Sequence, residues 1–510
     1  MTARIIACLL TCCCLAACST SHVAANDTPP PAAAPAVDCE ELYRKILELE
    51  KQVPSVFVGL KRSPDKIYAD IVQCKSLCRQ YVTECPGAAH TCDVKGLLAR
   101  LEVSSLERQR DELRRQPGIT EAEVKSRFDR LVTETFSLAE SAAQECPQGS
   151  WGRRMALKAV VDLCSRLQLY DKLHATCAVL VKEFAKDLPE RSSIHLTEGL
   201  AFMSEKRYDE AVKYWEQVIR ERSADPEFVI YNEKLFEALN GTGDLEAMEE
   251  LVELMRADYP TRLPKLPRDH YLYNQYEQWY CMAPFWKGFV QMAQGEADKA
   301  RDTFKKHVIE VGDRNEKLTR EGKKLGMGDI CTITLEARTK DLLQVIDELY
   351  GKRPEVDFDL GSLWATEKKI TLQGSKGKVV AVVFRMPGDV CAASFLQEID
   401  QLAKAREKDG FVALTLGFLS GKGSPEQDAR QVQALREDLQ KLGVTIPAGY
   451  DPDRGAQKIF RSLHGTVGTA SFVLFNRKGE YAWFLADPRD MDRKIARRVI
   501  DRLLAEKSTP

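Results

Sequence analysis

The chain has 510 residues, which is too long for one ordinary hydrophobic core and predicts about three or four structural units. Its 74 lysine and arginine residues nearly balance 76 aspartate and glutamate residues, and 44% of its residues are hydrophobic. This composition excludes a nucleic-acid-binding polycation and a disordered polyampholyte, and it names no partner.

The first 18 residues have the pattern of an export signal. Arg4 precedes a run from Ile5 to Ala17 that is apolar except for Thr11. The run is shorter than the roughly 20 residues that a helix needs to cross a bilayer. A signal peptide is therefore predicted over residues 1–18, rather than a permanent membrane helix.

The residues LAAC that end this segment resemble the bacterial lipoprotein lipobox, whose cysteine receives lipid and becomes the new N-terminus. The resemblance implies lipidation at Cys18 and attachment to the membrane through that lipid. Ser19 follows, where the family's sorting rule reserves Asp for inner-membrane retention, so the outer membrane of a Gram-negative cell envelope is implied. Simple secretion and a retained membrane segment are the alternatives. Residues 19–37 are small and proline-rich, which predicts an extended tether.

Eleven cysteines follow Cys18, and this odd number leaves at least one thiol without a partner in the chain. Outside the cytosol most cysteines are expected in disulfides. The candidates in the helical region 38–150 are Cys39, Cys74, Cys78, Cys85, Cys92 and Cys146. Three of them, Cys74, Cys78 and Cys85, fall within about 40° on one helix, and a second helix would carry Cys92 back. A disulfide-stapled helical hairpin is predicted, in preference to a metal site that also uses His90, because the spacing fits no familiar zinc pattern.

Residues 151–350 repeat a helix–turn–helix shape in four copies. Aligned at the turn, Tyr170, Tyr208 and Leu245 lie 38 and 37 residues apart. The second copy resembles a tetratricopeptide repeat and has these residues at family-like places: Gly199, Ala201, Tyr208, Ala211 and Pro226. The resemblance implies a short solenoid that binds an unknown protein partner. The alternative is a solenoid that merely separates the anchor from the C-terminal region.

The longest gap between the copies, residues 268–286, contains seven Tyr, Trp and Phe residues. We interpret these aromatic side chains as core filling, with a recognition rim as the alternative.

From about residue 355 to residue 508 the pattern predicts alternating strands and helices. KVVAVVF reads as a strand buried on both faces, and a helix, the strand FVALTLGF and a second helix capped by Ser424 follow. SFVLF, the turn NRKGE and YAWFL predict a hairpin before a last helix. This order of a βαβ unit and a ββα unit resembles exported thioredoxin-like proteins and the related peroxiredoxins. The predicted fold class is therefore multidomain, with an all-α helical-repeat region followed by an α/β thioredoxin-like domain.

The resemblance places a degenerate active-site motif after Phe384. Family thioredoxins carry Cys-x-x-Cys about five residues after this phenylalanine, and the ungapped register puts Asp389 and Ala392 at the two cysteine positions. A second register, with two residues inserted, makes Cys391 the nucleophile and Ser394 the replacement for the resolving cysteine. Both registers stay open.

Two further departures weaken the catalytic resemblance. Pro387 precedes Cys391 by four residues with no threonine between them, unlike the peroxiredoxin pattern, and Ala470 occupies the place of the family's cis-proline. We therefore expect a non-catalytic thioredoxin-like domain in a partner-binding lipoprotein. A thiol–disulfide oxidoreductase acting through Cys391, with a peroxiredoxin as the weaker form, is the alternative, and a purely architectural envelope protein is a third hypothesis.

No cofactor, metal, nucleotide or nucleic acid is predicted to bind. Residues 417–424, GFLSGKGS, follow a strand and open a helix, but their glycine spacing departs from that of a phosphate-binding P-loop.

Overall fold

A computed structural model describes the chain over these ranges: 37–53, 63–184, 191–267, 270–320, 327–353, 361–362, 373–385, 391–417, 424–450, 471–486 and 492–506. The predicted signal peptide, Cys18 and the predicted tether up to residue 36 lie outside them. The chain divides into two compact units, Met1–Ala156 and Leu157–Pro510.

The first unit is helical. Its helices are α1 Cys39–Glu50, α2 Pro64–Glu84, α3 Thr91–Arg114 and α4 Glu121–Glu145, and α5 Trp151–Arg166 begins in it and ends in the second unit. Helix starts follow from capping side chains: Ser63 Oγ accepts from the N–H of Lys66, with Pro64 in the first turn. A capping box precedes α4, since Thr120 Oγ1 accepts from the N–H of Glu123, and Glu123 Oε2 accepts from the N–H of Thr120.

The second unit begins with the rest of the helical array. Its helices are α6 Tyr170–Phe184, α7 Arg191–Ser204, α8 Tyr208–Glu221, α9 Phe228–Thr242, α10 Leu245–Arg262, α11 Tyr271–Gln294, α12 Ala297–Arg320 and α13 Met327–Glu348. In chain order, α5–α6, α7–α8, α9–α10 and α11–α12 form four helix–turn–helix segments, which we call hairpins 1 to 4.

All four hairpins have the same turn. Two residues before each second helix, the backbone is left-handed, at Gln168 (φ 56°), Lys206 (φ 62°), Gly243 (φ 73°) and Gly295 (φ 88°). The next residue donates its N–H to the carbonyl five residues earlier, at 2.8 to 3.2 Å: Leu169 to Cys164, Arg207 to Phe202, Asp244 to Leu239 and Glu296 to Gln291. This is the hydrogen bond of a Schellman motif. The turn-aligned residues Tyr170, Tyr208 and Leu245 each begin a second helix, so the predicted repeat of helix–turn–helix segments is present, while the tetratricopeptide resemblance stays a prediction.

Two aromatic side chains of the segment 268–286 lie in the core of the second unit. Tyr276 and Trp279, on α11, are buried. Tyr276 O–H donates to the carbonyl of Pro226 at 3.1 Å, and Trp279 Nε1 donates to Glu233 Oε2 at 2.9 Å. The core-filling interpretation is confirmed for these two side chains.

The C-terminal part contains a six-stranded sheet. Its elements are β1 Gly361–Ser362, β2 Val379–Arg385, α14 Cys391–Arg406, β3 Phe411–Gly417, α15 Pro425–Leu442, β4 Ala448–Tyr450, β5 Ser471–Phe475, β6 Tyr481–Ala486 and α16 Asp492–Ala505. The strand order is β1-β4-β3-β2-β5-β6. Strand β2 pairs parallel with β3 and antiparallel with β5, and β6 continues antiparallel from β5. The predicted βαβ and ββα units are therefore present, and the short strands β1 and β4 extend one edge.

Helix α16 joins the sheet to the hairpins. It packs against α9 and α11, and one hydrophobic core runs from Ala211 on α8 to Leu503 on α16. A Cβ added to Gly243 would lie 3.2 Å from the carbonyl oxygen of Lys494, and one added to Gly295 would lie 2.5 Å from the guanidinium of Arg502. Helix α16 thus packs directly against the turns of hairpins 3 and 4.

The chain after α13 also joins the sheet. Gly351 donates its N–H to the carbonyl of Tyr481 at 2.9 Å, and Tyr481 donates to the carbonyl of Lys352 at 3.0 Å. These bonds pair the outer edge of β6 with the segment that follows α13. The hairpin array and the sheet are therefore connected at two places, through α16 and through this segment.

Candidate functional site

The candidate site lies where β2 leads into α14. All seven residues of β2 are buried, because the strand lies in the middle of the sheet between β3 and β5. Helix α14 begins at Cys391, so this residue contributes one of the first-turn N–H groups that have no acceptor within a helix. The positive end of a helix dipole favours a thiolate over a thiol. Asp389, Pro387 and Ala470, which also entered the sequence argument, lie outside the described residues, and Ala392 is the second residue of α14.

Cys391 and Ser394 occupy the same turn of α14. They are three residues apart in one helix, which places them on neighbouring positions of its surface. Ser394 is exposed. In the second register Ser394 replaces the resolving cysteine, and the choice between the two registers stays a prediction. Cys391 is also the one cysteine in the sequence from residue 332 to the end of the chain, so this part cannot form an internal disulfide.

Apolar side chains fix the start of α14 on the sheet. Phe395 and Phe472 are both buried, and their rings meet edge to face with centroids 5.1 Å apart. Leu396 and Ile399 are buried on the same side of the helix. Phe395 belongs to α14 and Phe472 to β5, so this contact ties the first turns of the helix to the strand next to β2.

A buried carboxylate holds the middle of α14. Asp400 accepts hydrogen bonds from the N–H of Thr445 at 2.8 Å, from its hydroxyl at 2.9 Å and from the N–H of Ile446 at 2.7 Å. Lys404 Nζ donates to its other oxygen at 2.7 Å. Burial favours the protonated acid, but these donors together outweigh burial and hold the pKa of Asp400 below its ordinary value. The ionised side chain therefore joins α14 to the segment that precedes β4.

A buried charge at the end of β2 is a feature that the sequence argument missed. Arg385 is 3% exposed, and its Nη2 donates to Asp438 Oδ2 on α15 at 3.4 Å. The available signal was a charged residue that directly follows the apolar run KVVAVVF. A guanidinium in a low-dielectric environment favours anions near it, and here the paired anion is a carboxylate.

The cysteines of the first unit are joined differently from the predicted hairpin staple. Cys39 and Cys85 form a disulfide, with Cα atoms 6.0 Å apart, so the bond joins α1 to the end of α2. Cys85 is the C-cap of α2, and its φ of −121° and ψ of 45° are not helical. It therefore does not continue the helix face on which Cys74 and Cys78 lie. Cys74 and Cys78 are buried thiols, and Cys92 and Cys146 are thiols at the ends of α3 and α4.

His90 does not join these thiols. Its ring stacks on Tyr43 with centroids 3.9 Å apart. Among the residues that the structure describes, no group of three or more His, Cys, Asp or Glu side chains could hold a metal ion. Over the same ranges, no helix combines the length and the apolar character needed to cross a membrane.

Comparisons with known proteins give structural likenesses over less than a third of the chain. No protein-family model and no curated protein matches the sequence. A thiol-disulfide isomerase from Corynebacterium glutamicum aligns with 31% of this chain and 99% of its own length, at 18% identity and a TM-score of 0.26. A thioredoxin-family thiol:disulfide interchange protein from Chlorobium tepidum aligns with 29% of this chain and 96% of its own, at 16% identity and a TM-score of 0.23. A peroxiredoxin Q variant from Xanthomonas campestris aligns with 30% of this chain and 97% of its own, at 15% identity and a TM-score of 0.24.

Proposed function

We propose that the protein is a lipid-anchored, extracytoplasmic protein that binds a partner protein through its helical hairpins, while its thioredoxin-like part serves as a non-catalytic module. Cys18 carries the lipid and attaches the chain to the outer membrane, and residues 19–37 act as the tether. The observation that carries the proposal is the packing of α16 against the turns of hairpins 3 and 4. This contact makes the sheet a part of the hairpin array.

The cysteine content supports a non-catalytic sheet region. A thioredoxin-type reaction cycles between two thiols and a disulfide, and it needs a second sulfur to resolve the mixed disulfide. Cys391 has no other cysteine within its own region of the sequence, and Ser394 offers a hydroxyl at the neighbouring helical position. A hydroxyl cannot form a disulfide, so the module lacks the second half of that cycle.

A disulfide-reduction assay tests the absence of catalysis. The full chain and the Cys391→Ser variant are supplied with reduced glutathione and a protein disulfide substrate, and turnover is compared. We expect equal rates, because no step depends on Cys391. A rate at least about tenfold higher for the unmodified chain would contradict the proposal.

Partner binding is tested by photo-crosslinking in intact cells. The crosslinking residue replaces Leu254 on α10 or Ile309 on α12, which are 49% and 64% exposed. Glu134 on α4, which has a 67% exposed side chain, serves as the matched control in the first unit. One crosslinked species from the hairpin positions and none from the control is expected, and equal labelling from all three would contradict hairpin-mediated binding.

Attachment is tested separately with Cys18→Ser. The variant should lose lipid labelling and move from the membrane fraction to the soluble fraction. Unchanged membrane association would contradict lipid anchoring at this residue.

The second candidate function is thiol–disulfide exchange through Cys391. The observation that favours it is the start of α14 at this residue, directly beyond a buried central strand. In this mechanism the Cys391 thiolate attacks a substrate disulfide, and one substrate thiolate leaves. A thiolate of another molecule then attacks the substrate sulfur of the mixed disulfide, which releases the Cys391 thiolate. The disulfide-reduction assay described above separates the two candidates.

A further inference from the structure

Two thiols meet where α3 begins and α4 ends. Cys92 is the second residue of α3, and Cys146 directly follows the last residue of α4. The Cys146 thiol donates to the carbonyl oxygen of Cys92 at 3.4 Å, and the Cys92 thiol donates to the carbonyl oxygen of Glu145 at 3.9 Å. Each sulfur therefore lies against the backbone at or beside the other cysteine.

Neighbouring polar contacts hold these two helix ends in place. Lys95 Nζ lies 2.5 Å from Glu145 Oε2, which joins the first turn of α3 to the last residue of α4. Asp93 Oδ1 accepts from the N–H of Gly152 at 3.0 Å, which joins the same turn of α3 to the start of α5. The approach of the two thiols is thus set by the packing of three helix ends.

We propose that Cys92 and Cys146 form a second disulfide in the exported protein. The Cys39–Cys85 disulfide lies close to the start of α3. The hydroxyl of Thr91, the first residue of α3, donates to the carbonyl oxygen of Cys85 at 3.0 Å. Together the two bonds would join the start of α1 to the end of α2 and the start of α3 to the end of α4. The inference goes beyond the proposed function and needs from it only the oxidising compartment that export provides.

The oxidation removes two electrons and two protons from the pair, and a disulfide of a donor molecule accepts them. Cys92 is half-buried and Cys146 is buried, so the Cys92 thiolate attacks the donor disulfide and displaces one donor thiolate. The Cys146 thiolate then attacks the Cys92 sulfur of the mixed disulfide, and the second donor thiol leaves. Burial and the contact with Cys92 raise the pKa of Cys146 to about 12, which agrees with Cys92 as the attacking thiol of the first step.

Peptide mapping tests the pairing. The full chain is purified from the membrane fraction without reductant, its thiols are blocked with N-ethylmaleimide under denaturing conditions, and it is digested with trypsin. Cys85 and Cys92 share the tryptic peptide 80–95, and Cys146 lies in peptide 131–153. We expect one species that joins three peptides: the peptide ending at Arg44, which contains Cys39, and the peptides 80–95 and 131–153. Recovery of peptide 131–153 with a blocked Cys146, or joined to the peptide of Cys74 or Cys78, would overturn the pairing.

Two variants and one refolding experiment sharpen the result. Cys146→Ser should leave peptide 80–95 joined to the Cys39 peptide alone, with Cys92 blocked. Cys78→Ala, which removes a buried thiol of the same unit, should leave the three-peptide species intact, and its loss would count against the pairing. The same species should form when the reduced protein is treated with oxidised glutathione, so pairing is tested independently of export; a blocked Cys146 after that treatment would overturn it.

Discussion

Hairpins 1 and 2 have the same turn geometry as hairpins 3 and 4, but the residue types at the turn and the element packed against it differ. All four turns place a left-handed residue two positions before the second helix. Hairpins 1 and 2 use Gln168 and Lys206, whereas hairpins 3 and 4 use Gly243 and Gly295. Helix α16 lies against the two glycines. The comparison teaches that the backbone sets the conformation of each turn, while tertiary packing decides whether a side chain fits there.

The two halves of the array also differ in the particular side chains that join their helices. Between α6, α7 and α8, His174 lies 3.7 Å from Glu198, and Glu198 accepts from the Tyr214 hydroxyl at 3.0 Å. In hairpins 3 and 4, Phe236 packs against the rings of Trp279 and Trp286 at 5.7 and 5.3 Å. Aromatic contacts thus join hairpin 3 to hairpin 4, and a partly buried carboxyl group, Glu198, lies where α6, α7 and α8 meet.

The largest effect on stability is expected when a buried side chain of α16 is truncated. Ile500 is fully buried in the core shared by the sheet and the hairpins, so Ile500→Ala should lower the free energy of unfolding of the second unit by about 2–5 kcal/mol. Hydrogen exchange should show peptides of α9, α11 and β2 losing protection together. Ile46→Ala, an equally buried change in the first unit, should leave those peptides unchanged. Loss of protection confined to the sheet would contradict the shared core.

The next largest effect is expected at the turn of hairpin 3, against which α16 packs. Gly243→Ala should destabilise the second unit by about 1–3 kcal/mol, because the left-handed backbone penalises a side chain and α16 leaves little space for it. Gly443 also caps a helix in the left-handed region, but no atom lies within 4 Å of an added Cβ. Gly443→Ala therefore measures the conformational cost alone. Equal costs for the two variants would show that α16 does not constrain this turn.

A smaller effect should appear in the pH dependence of hairpins 1 and 2. Burial raises the pKa of Glu198 above its ordinary value, although Tyr214 and His174 oppose this rise. The folded state then holds a proton that the unfolded state releases, so stability is full below about pH 4.3 and falls as pH rises through the folded pKa. Glu198→Gln should flatten this fall in denaturant titrations at successive pH values. Tyr214→Phe should steepen it, because it removes a donor that favours the carboxylate; unchanged slopes in both variants would contradict the assignment.

The smallest effect is a gain in stability. Lys206 is exposed and left-handed, so Lys206→Gly should stabilise hairpin 2 by a few tenths to about 1 kcal/mol. Lys213 is exposed in the middle of α8, where the same substitution should cost about 1 kcal/mol. A thermal shift in opposite directions for the two variants is expected. A loss of stability in both would show that the turn of hairpin 2 is not strained.

The sequence reveals features that depend on local pattern. The turn spacing located the second helices at Tyr170, Tyr208 and Leu245, because a helix–turn–helix repeat imposes a fixed period. The continuous apolar run before Phe384 identified β2, because a strand buried on both faces needs no polar alternation. Strands β1 and β4 were missed, since two or three residues carry no detectable period.

Features that depend on distant partners could not be predicted from one sequence. The bond from Cys39 to Cys85 spans 46 residues, and cysteine spacing alone leaves many connectivities open. Arg385 gave a weak signal, because a charge after an apolar run usually marks the exposed end of a strand, whereas here Asp438 on α15 allows its burial. Gly243 and Gly295 adopt the left-handed conformation of a turn, but the need for space beside them arises from residues of α16 more than 200 positions later in the chain.

The rate of alkylation of Cys391 as a function of pH tests the central claim most directly. The native full chain is treated with an alkylating reagent, and the modified residue is identified by peptide mass. A non-catalytic module should react slowly, with a rate that rises above about pH 8.5 or appears on unfolding, as for an ordinary or buried thiol. A rate that levels off at or below about pH 7 would reveal a stabilised thiolate at the start of α14 and would contradict the claim in favour of thiol–disulfide exchange.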